Sequence, residues 1–208
     1  MKTTAEVRYE FKTSVSLGYS SMDAPSGITE IEGKVYADIF DKSLDDTLSK
    51  LIGNFKVIKA DPNFEFYSTM DHDQNINDIA NHIFEENQTS KLEDHFGSIY
   101  FVESFFIEKQ WRGRDISLMV MQDFMEKRSE NCSVFVLCPY PLDEHVAKNT
   151  TESETKAISK KLIKHWKKLG FEKLFDGYYY LNNAYEMKKT NFNFQFEIEP
   201  ITQIAPSV

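Results

Sequence analysis

The run from Gly97 to Arg128, GSIYFVESFFIEKQWRGRDISLMVMQDFMEKR, brings together the residue types that hold an anion and move a proton. An apolar strand leads into Arg112, Gly113 and Arg114, and an apolar helix follows them. The first N–H groups of a helix have no partner within it, and their dipole favours negative charge, so a helix opening from a strand end suits a phosphate group. Arg112 and Arg114 add positive charge, and Gly113 adds a permissive backbone position. Asp115 and Ser117 pull the other way. An aspartate at a helix start is a good N-cap, because its carboxylate takes the N–H groups that a phosphate would use. It also repels a diphosphate at close range. Two readings therefore stand at this point: a diphosphate turn, or a capped buried helix flanked by two surface arginines.

Other residues offer less. Glu103, inside the strand, reads as a strand carboxylate that pairs with a neighbouring Lys or Arg. Tyr140, Tyr178 and Tyr179 lie in aromatic-rich segments, where tyrosines more often pack. Asp71, His72, Asp73 and His82 make a poor metal set and read better as an acidic loop and a helix cap, so no metal is expected. Lys156, Lys160, Lys161, Lys164, Lys167 and Lys168 form a basic helix, either a solvated face or an attraction for a phosphate or an acidic partner. Cys132 and Cys138 read as buried and inert, with no disulfide framework.

These residues need a scaffold, and 208 residues with 41% hydrophobic and 27% charged content suffice for an α/β domain with its own core. A net charge of −9 argues against a non-specific nucleic-acid binder and leaves room for a basic partner. No apolar run approaches a membrane span, and MKTTAEVRYEF holds no apolar signal core, so a cytoplasmic location is expected.

Alternation of Val7, Tyr9 and Phe11 with charged residues predicts a half-buried strand over 6–17, and Val35, Ala37 and Ile39 predict another over Gly33 to Phe40. Ser43 with Asp46 resembles a capping box, and Leu44, Leu48 and Leu51 have helical spacing, so a helix is expected there, closed by Gly53. Short strands are expected at Phe55 to Lys59 and Phe64 to Thr69, and a helix through Ile76, Ile79 and Ile83. Then follow a strand over 98–107, a helix over 116–128, and a buried strand at Ser133 to Pro139. Residues 143–155 read as a polar loop. Ile158, Leu162, Trp166 and Leu169 space a helix ending at Gly170, and strands at 171–175 and 178–182 close the core. Phe192, Phe194, Phe196 and Ile198 alternate in the tail, as a core strand or as an edge open to a homodimer. The order of elements predicts one α/β layer structure with a mixed sheet.

From about Ile99 through Leu181 this order resembles the GNAT superfamily of acyl-CoA-dependent N-acetyltransferases. The resemblance rests on the acidic strand IYFVESFFI, the loop WRGRDIS with its helix, the strand SVFVLCP, and the phrase HWKKLGFEKL before a last hairpin. The family's loop runs Gln or Arg, two residues, Gly, one residue, then Gly or Ala. Arg112 fits its first position and Gly113 a frequent inner glycine, while Asp115 replaces the central Gly and Ser117 the final small residue. Trp166 stands where the family often has Tyr.

The resemblance implies a mixed, mostly antiparallel sheet flanked by helices and splayed between its fourth and fifth strands. It implies one domain over 1–190, with 98–182 as its recognisable core and 191–208 as a C-terminal strand and tail. Acetyl-CoA would be the cosubstrate. The backbone of Phe106 and Ile107 would pair with the pantetheine arm, and the amides of Arg112, Gly113, Arg114, Asp115, Ile116 and Ser117 would hold the diphosphate. Glu103 would be the base, its pKa raised by burial, and Tyr140 or Tyr178 the acid. The acceptor is an amine that no feature of the sequence identifies. The alternative is a non-catalytic protein on the same fold, binding a protein partner through an acidic or aromatic surface.

Overall fold

A computed structural model describes residues 3–16, 28–41, 46–60, 98–128, 133–140, 151–175, 177–182, 187–192 and 195–198. Its strands are β1 (Thr3–Ser16), β2 (Ile28–Asp41), β3 (Asp46–Ala60), β4 (Ile99–Ile107), β5 (Val134–Leu137), β6 (Glu172–Phe175), β7 (Tyr178–Asn182) and β8 (Gln195–Ile198). Its α-helices are α1 (Ile116–Arg128) and α2 (Glu152–Trp166), with 3-10 turns at Lys109–Trp111 and Lys167–Leu169. The strands form one mixed, mostly antiparallel sheet in the order β6-β7-β5-β4-β3-β2-β1-β8.

β1 to β4 are antiparallel neighbours in chain order, because alternating apolar residues on each let one face be buried along its length. β4 and β5 are the parallel pair, and α1 lies in the crossover that such a pair requires. β8 pairs with β1, so Gln195 to Ile198 of the alternating tail form a strand of this same sheet.

Two of the sequence expectations are corrected. The leucine-spaced segment after Ser43 is the start of the long strand β3, with no helix. Leu48 lies opposite Ile39 and Leu51 opposite Tyr36, so pairing along β2 overrides a weak helical spacing. The stretch 143–155 is not all loop, since α2 begins at Glu152. Thr151 caps it: its hydroxyl accepts from the Glu154 amide, and the Glu154 carboxylate accepts from the Thr151 amide at 2.7 Å. The predicted strand at Phe64 to Thr69, the helix through Ile76 to Ile83 and the Asp71, His72, Asp73 and His82 set lie outside the described residues.

The main core sits between one sheet face and α1. Phe124, fully buried, meets Phe11, Phe55 and Tyr100 edge to face, which ties α1 to β1, β3 and β4. Leu118, Met119, Val120, Met121 and Met125 are buried around it, and Trp166, Leu169 and Phe171 extend the cluster. A smaller cluster of Ile58, Phe101, Val134, Val136, Leu174 and Phe175 lies apart from it, because adjacent residues of a strand point to opposite faces. Among the described residues no helix is long and apolar enough to cross a membrane.

Gly33 is required by this packing. A Cβ there would stand 2.1 Å from the ring of Phe55, which Phe105 and Phe124 hold in place. Gly33→Ala is expected to destabilise the protein by about 1–3 kcal/mol, as overpacking does. A urea titration checks this through a lower midpoint at unchanged slope.

Candidate functional site

β4 changes partners partway along. Ile99 to Val102 pair with Val134 to Leu137 of β5, and there that pairing ends, while β4 runs on to Ile107 against β3 alone. The change coincides with a β-bulge. Lys56 lies opposite Ser104 and Val57 opposite Val102, leaving Glu103 as the extra residue. Such bulges bend a strand and re-aim side chains. The bulge also resets the alternation: Tyr100 and Val102 before it, and Phe105 and Ile107 after it, all serve the main core.

Beyond β4 the chain turns through Lys109–Trp111 and enters α1 by two left-handed residues, Gly113 at φ 82° and Asp115 at φ 55°. Aspartate tolerates that conformation better than most residues, at a cost of about 1–2 kcal/mol. The first helical bond runs from the Met119 amide to the Asp115 carbonyl. Among the described residues no hydrogen bond reaches the amides of Ile116, Ser117 or Leu118. These donors stand open at the helix start.

Of the two readings of Asp115, the one in which its carboxylate caps α1 is not what the structure holds. Both its oxygens accept from Lys168 Nζ at 2.9 Å, and Oδ1 lies 3.6 Å from His165 Nδ1. His165 Nε2 is 2.8 Å from Ser117 Oγ. The end of α2 and the turn after it therefore hold the two side chains that depart from a glycine-rich loop, and they draw the carboxylate off the helix amides. With Asp115 at 38% and Lys168 at 50% side-chain exposure, that ion pair contributes only about 0–1 kcal/mol.

The other predicted binding residues have varied surroundings. Arg112 Nε donates to the Ile107 carbonyl at 2.7 Å, and its guanidinium stands over the Phe106 ring. One backbone acceptor assigned to a pantetheine arm thus already has an internal donor. Phe106 is exposed and Ile107 buried. Arg114 lies over Trp111 and reaches the Gln110 carbonyl at 3.4 Å. Gly113 is exposed, with open space where a side chain would be.

Among the predicted catalytic residues, Glu103 is half-buried and forms an ion pair with Lys56 at 2.9 Å, which in turn lies 4.0 Å from Glu30. Tyr140 is 51% exposed just past β5. Tyr178 packs on Phe175 at 4.6 Å, beside the smaller cluster. Trp166 is buried against Phe105, His165 and Phe171, a packing position. Cys138 is exposed rather than buried, and local desolvation raises its thiol pKa.

Sequence reasoning missed His165. It precedes the Trp166 phrase directly, but nothing in its own neighbourhood announces a partner 48 positions away. Burial lowers its pKa; Asp115 opposes that shift and Lys168 reinforces it.

Compared with protein-family models, curated proteins and solved structures, the chain finds no match in any of the three.

Because the folded state disfavours protonated His165, the unfolded chain binds more protons as pH falls through the ordinary histidine range. The contribution of His165 to stability is thus unimpaired above about pH 6.5 and is lost below it. His165→Gln is expected to lose less thermal stability than the parent between pH 7.5 and 5.5, read by melting in matched buffers.

Proposed function

We propose that this chain is an acyl-CoA-dependent N-acyltransferase of GNAT-like fold, acting on an amine and taking acetyl-CoA as cosubstrate. One observation carries the reading. β4 parts from β5 at Val102 and continues toward a helix start whose first amides are open, with the intervening acidic side chain turned onto Lys168. The unpaired end of β4, running toward a helix start that can hold an anion, suits a long thin ligand with a diphosphate at one end. The strand order supports the same reading, with β7 inserted between β5 and β6. So does the left-handed Asp115, which takes the backbone conformation that a glycine in that loop would supply. Lys168 offsets the charge that Asp115 brings, so the departure from glycine need not abolish diphosphate binding.

In this reading Glu103 accepts the proton of the acceptor's ammonium group, and the free amine attacks the thioester carbonyl. As the carbon–sulfur bond breaks, the nitrogen gives its remaining extra proton to solvent, and the thiolate takes one from a hydroxyl that solvent then reprotonates, with Tyr140 and Tyr178 as the candidates. Glu103 must first leave Lys56, or share it with the incoming substrate.

That ion pair is also the observation favouring a second reading, a non-catalytic protein on the same scaffold. The Arg112 bond to the Ile107 carbonyl favours it too.

The readings separate by measurement. Acetyl-CoA at 100 times its dissociation constant should stabilise the protein by about 2.7 kcal/mol, seen as a raised melting temperature. Glu103→Gln should keep that stabilisation while transfer to a panel of amines falls by about 10²-fold or more. Absence of both stabilisation and calorimetric heat with acetyl-CoA would remove the enzyme. Stabilisation without thiol release toward any amine would favour the second reading.

A further inference from the structure

Around the head of α1, Ser117, Asp115 and His165 of α2 form a constellation whose hydroxyl and imidazole the acyltransferase reading does not use. Ser117 Oγ lies 2.8 Å from His165 Nε2, and on the opposite side of that ring Nδ1 lies 3.6 Å from Asp115 Oδ1. The tautomer with its proton on Nδ1 turns that N–H toward the carboxylate and leaves Nε2 to accept from the serine hydroxyl. This is the relation of nucleophile, base and orienting acid, with the outer contact longer than a hydrogen bond, as is common without substrate. We propose that Ser117, His165 and Asp115 form an acyl-transfer triad that takes small activated esters or thioesters from solvent and hydrolyses them.

The surroundings fit. Ser117 follows a strand and a strained turn into a helix, where the strain sits on Asp115. A nucleophile on a strand–turn–helix corner is held rigidly at the edge of the sheet. The open amides of Ser117 and Leu118 are the donors available to a carbonyl oxygen that becomes charged. The ring of His165 is anchored edge-on against buried Trp166. Desolvation lowers the His165 pKa, which favours the neutral form that a base requires. The His165 and Asp115 side chains are 25% and 38% exposed, so the cluster opens to solvent. Lys168 competes with His165 for both Asp115 oxygens, so Asp115 acts on the ring at 3.6 Å as a neighbouring charge.

The step balances without a further reagent. Ser117 Oγ bonds to the acyl carbon and passes its proton to His165 Nε2. The carbon–leaving-group bond then breaks, and the leaving alkoxide or thiolate takes that proton. Water attacks the seryl ester, giving a proton to Nε2, and the carboxylic acid departs as Oγ recovers it. The net change is ester plus water to acid plus alcohol or thiol.

The test uses the full chain with p-nitrophenyl acetate. Acid-quenched protein is digested, and the acetyl adduct is mapped by mass spectrometry. The expected result is acetyl on Ser117 of the parent, with p-nitrophenol release reduced on the order of 10²-fold or more in Ser117→Ala and His165→Ala. An adduct confined to other residues, or none at all, overturns the proposal. So does undiminished release by a folded Ser117→Ala. Mapping on the parent decides the matter even if a variant fails to fold.

This inference does not rest on the acyltransferase reading, and the two fail separately, since thermal stabilisation by acetyl-CoA needs no acylated serine. Where both hold, saturating coenzyme A should slow acetylation of Ser117, because its diphosphate would take the same amides.

Discussion

Asp115 is held from across the molecule, and the character of the β4–α1 turn depends on that grip. A left-handed aspartate at a helix start has two uses for its carboxylate: it can satisfy the helix amides or pair with a cation. Here Lys168 and His165, brought in by the end of α2, take it. The amides stay open as a result, and an acidic side chain that would repel an anion is partly neutralised. The ion pair itself is exposed and weak. Its consequence lies in the direction it gives the carboxylate, more than in stability.

That placement relies on packing well away from the loop. α2 ends with Trp166 buried against Phe105 and Phe171, and the following turn buries Leu169. Those contacts fix the registration of α2 on β4, and hence the position of His165 and Lys168. α1 is fixed independently through Phe124, wedged among Phe11, Phe55 and Tyr100. Fully burying such a ring contributes roughly 1.5–3 kcal/mol, several times the worth of the polar link it helps to align. The apolar core thus supplies the rigidity, and the polar residues at its edge use it.

The bulge at Glu103 is the second device. It bends β4 where β5 leaves, and it restores Phe105 and Ile107 to the core face after an extra residue. Glu103 is meanwhile supplied with Lys56 across the strand pair. That half-buried ion pair, 2.9 Å long, ties the extra residue of the bulge to the neighbouring strand.

β1, much of β2, the apolar run of α1, the buried β5 and the basic α2 were legible from the chain, because alternation, helical spacing and apolar runs express burial locally. The Thr151 and Glu154 capping box was equally legible, through its spacing, but lay inside a segment read as loop. The segment around Leu48 and Leu51 misled, because its spacing suits a helix until β2 is alongside. The loop chemistry divided in the same way. Residue types alone established that Arg112 to Ser117 could meet an anion and that Asp115 broke the pattern. Which way the carboxylate turned, and that Ser117 would find a histidine, were decided only by tertiary structure. The reason is physical: Asp115 and its partners His165 and Lys168 are joined by the packing of two helices on one sheet, and no local pattern encodes that distance.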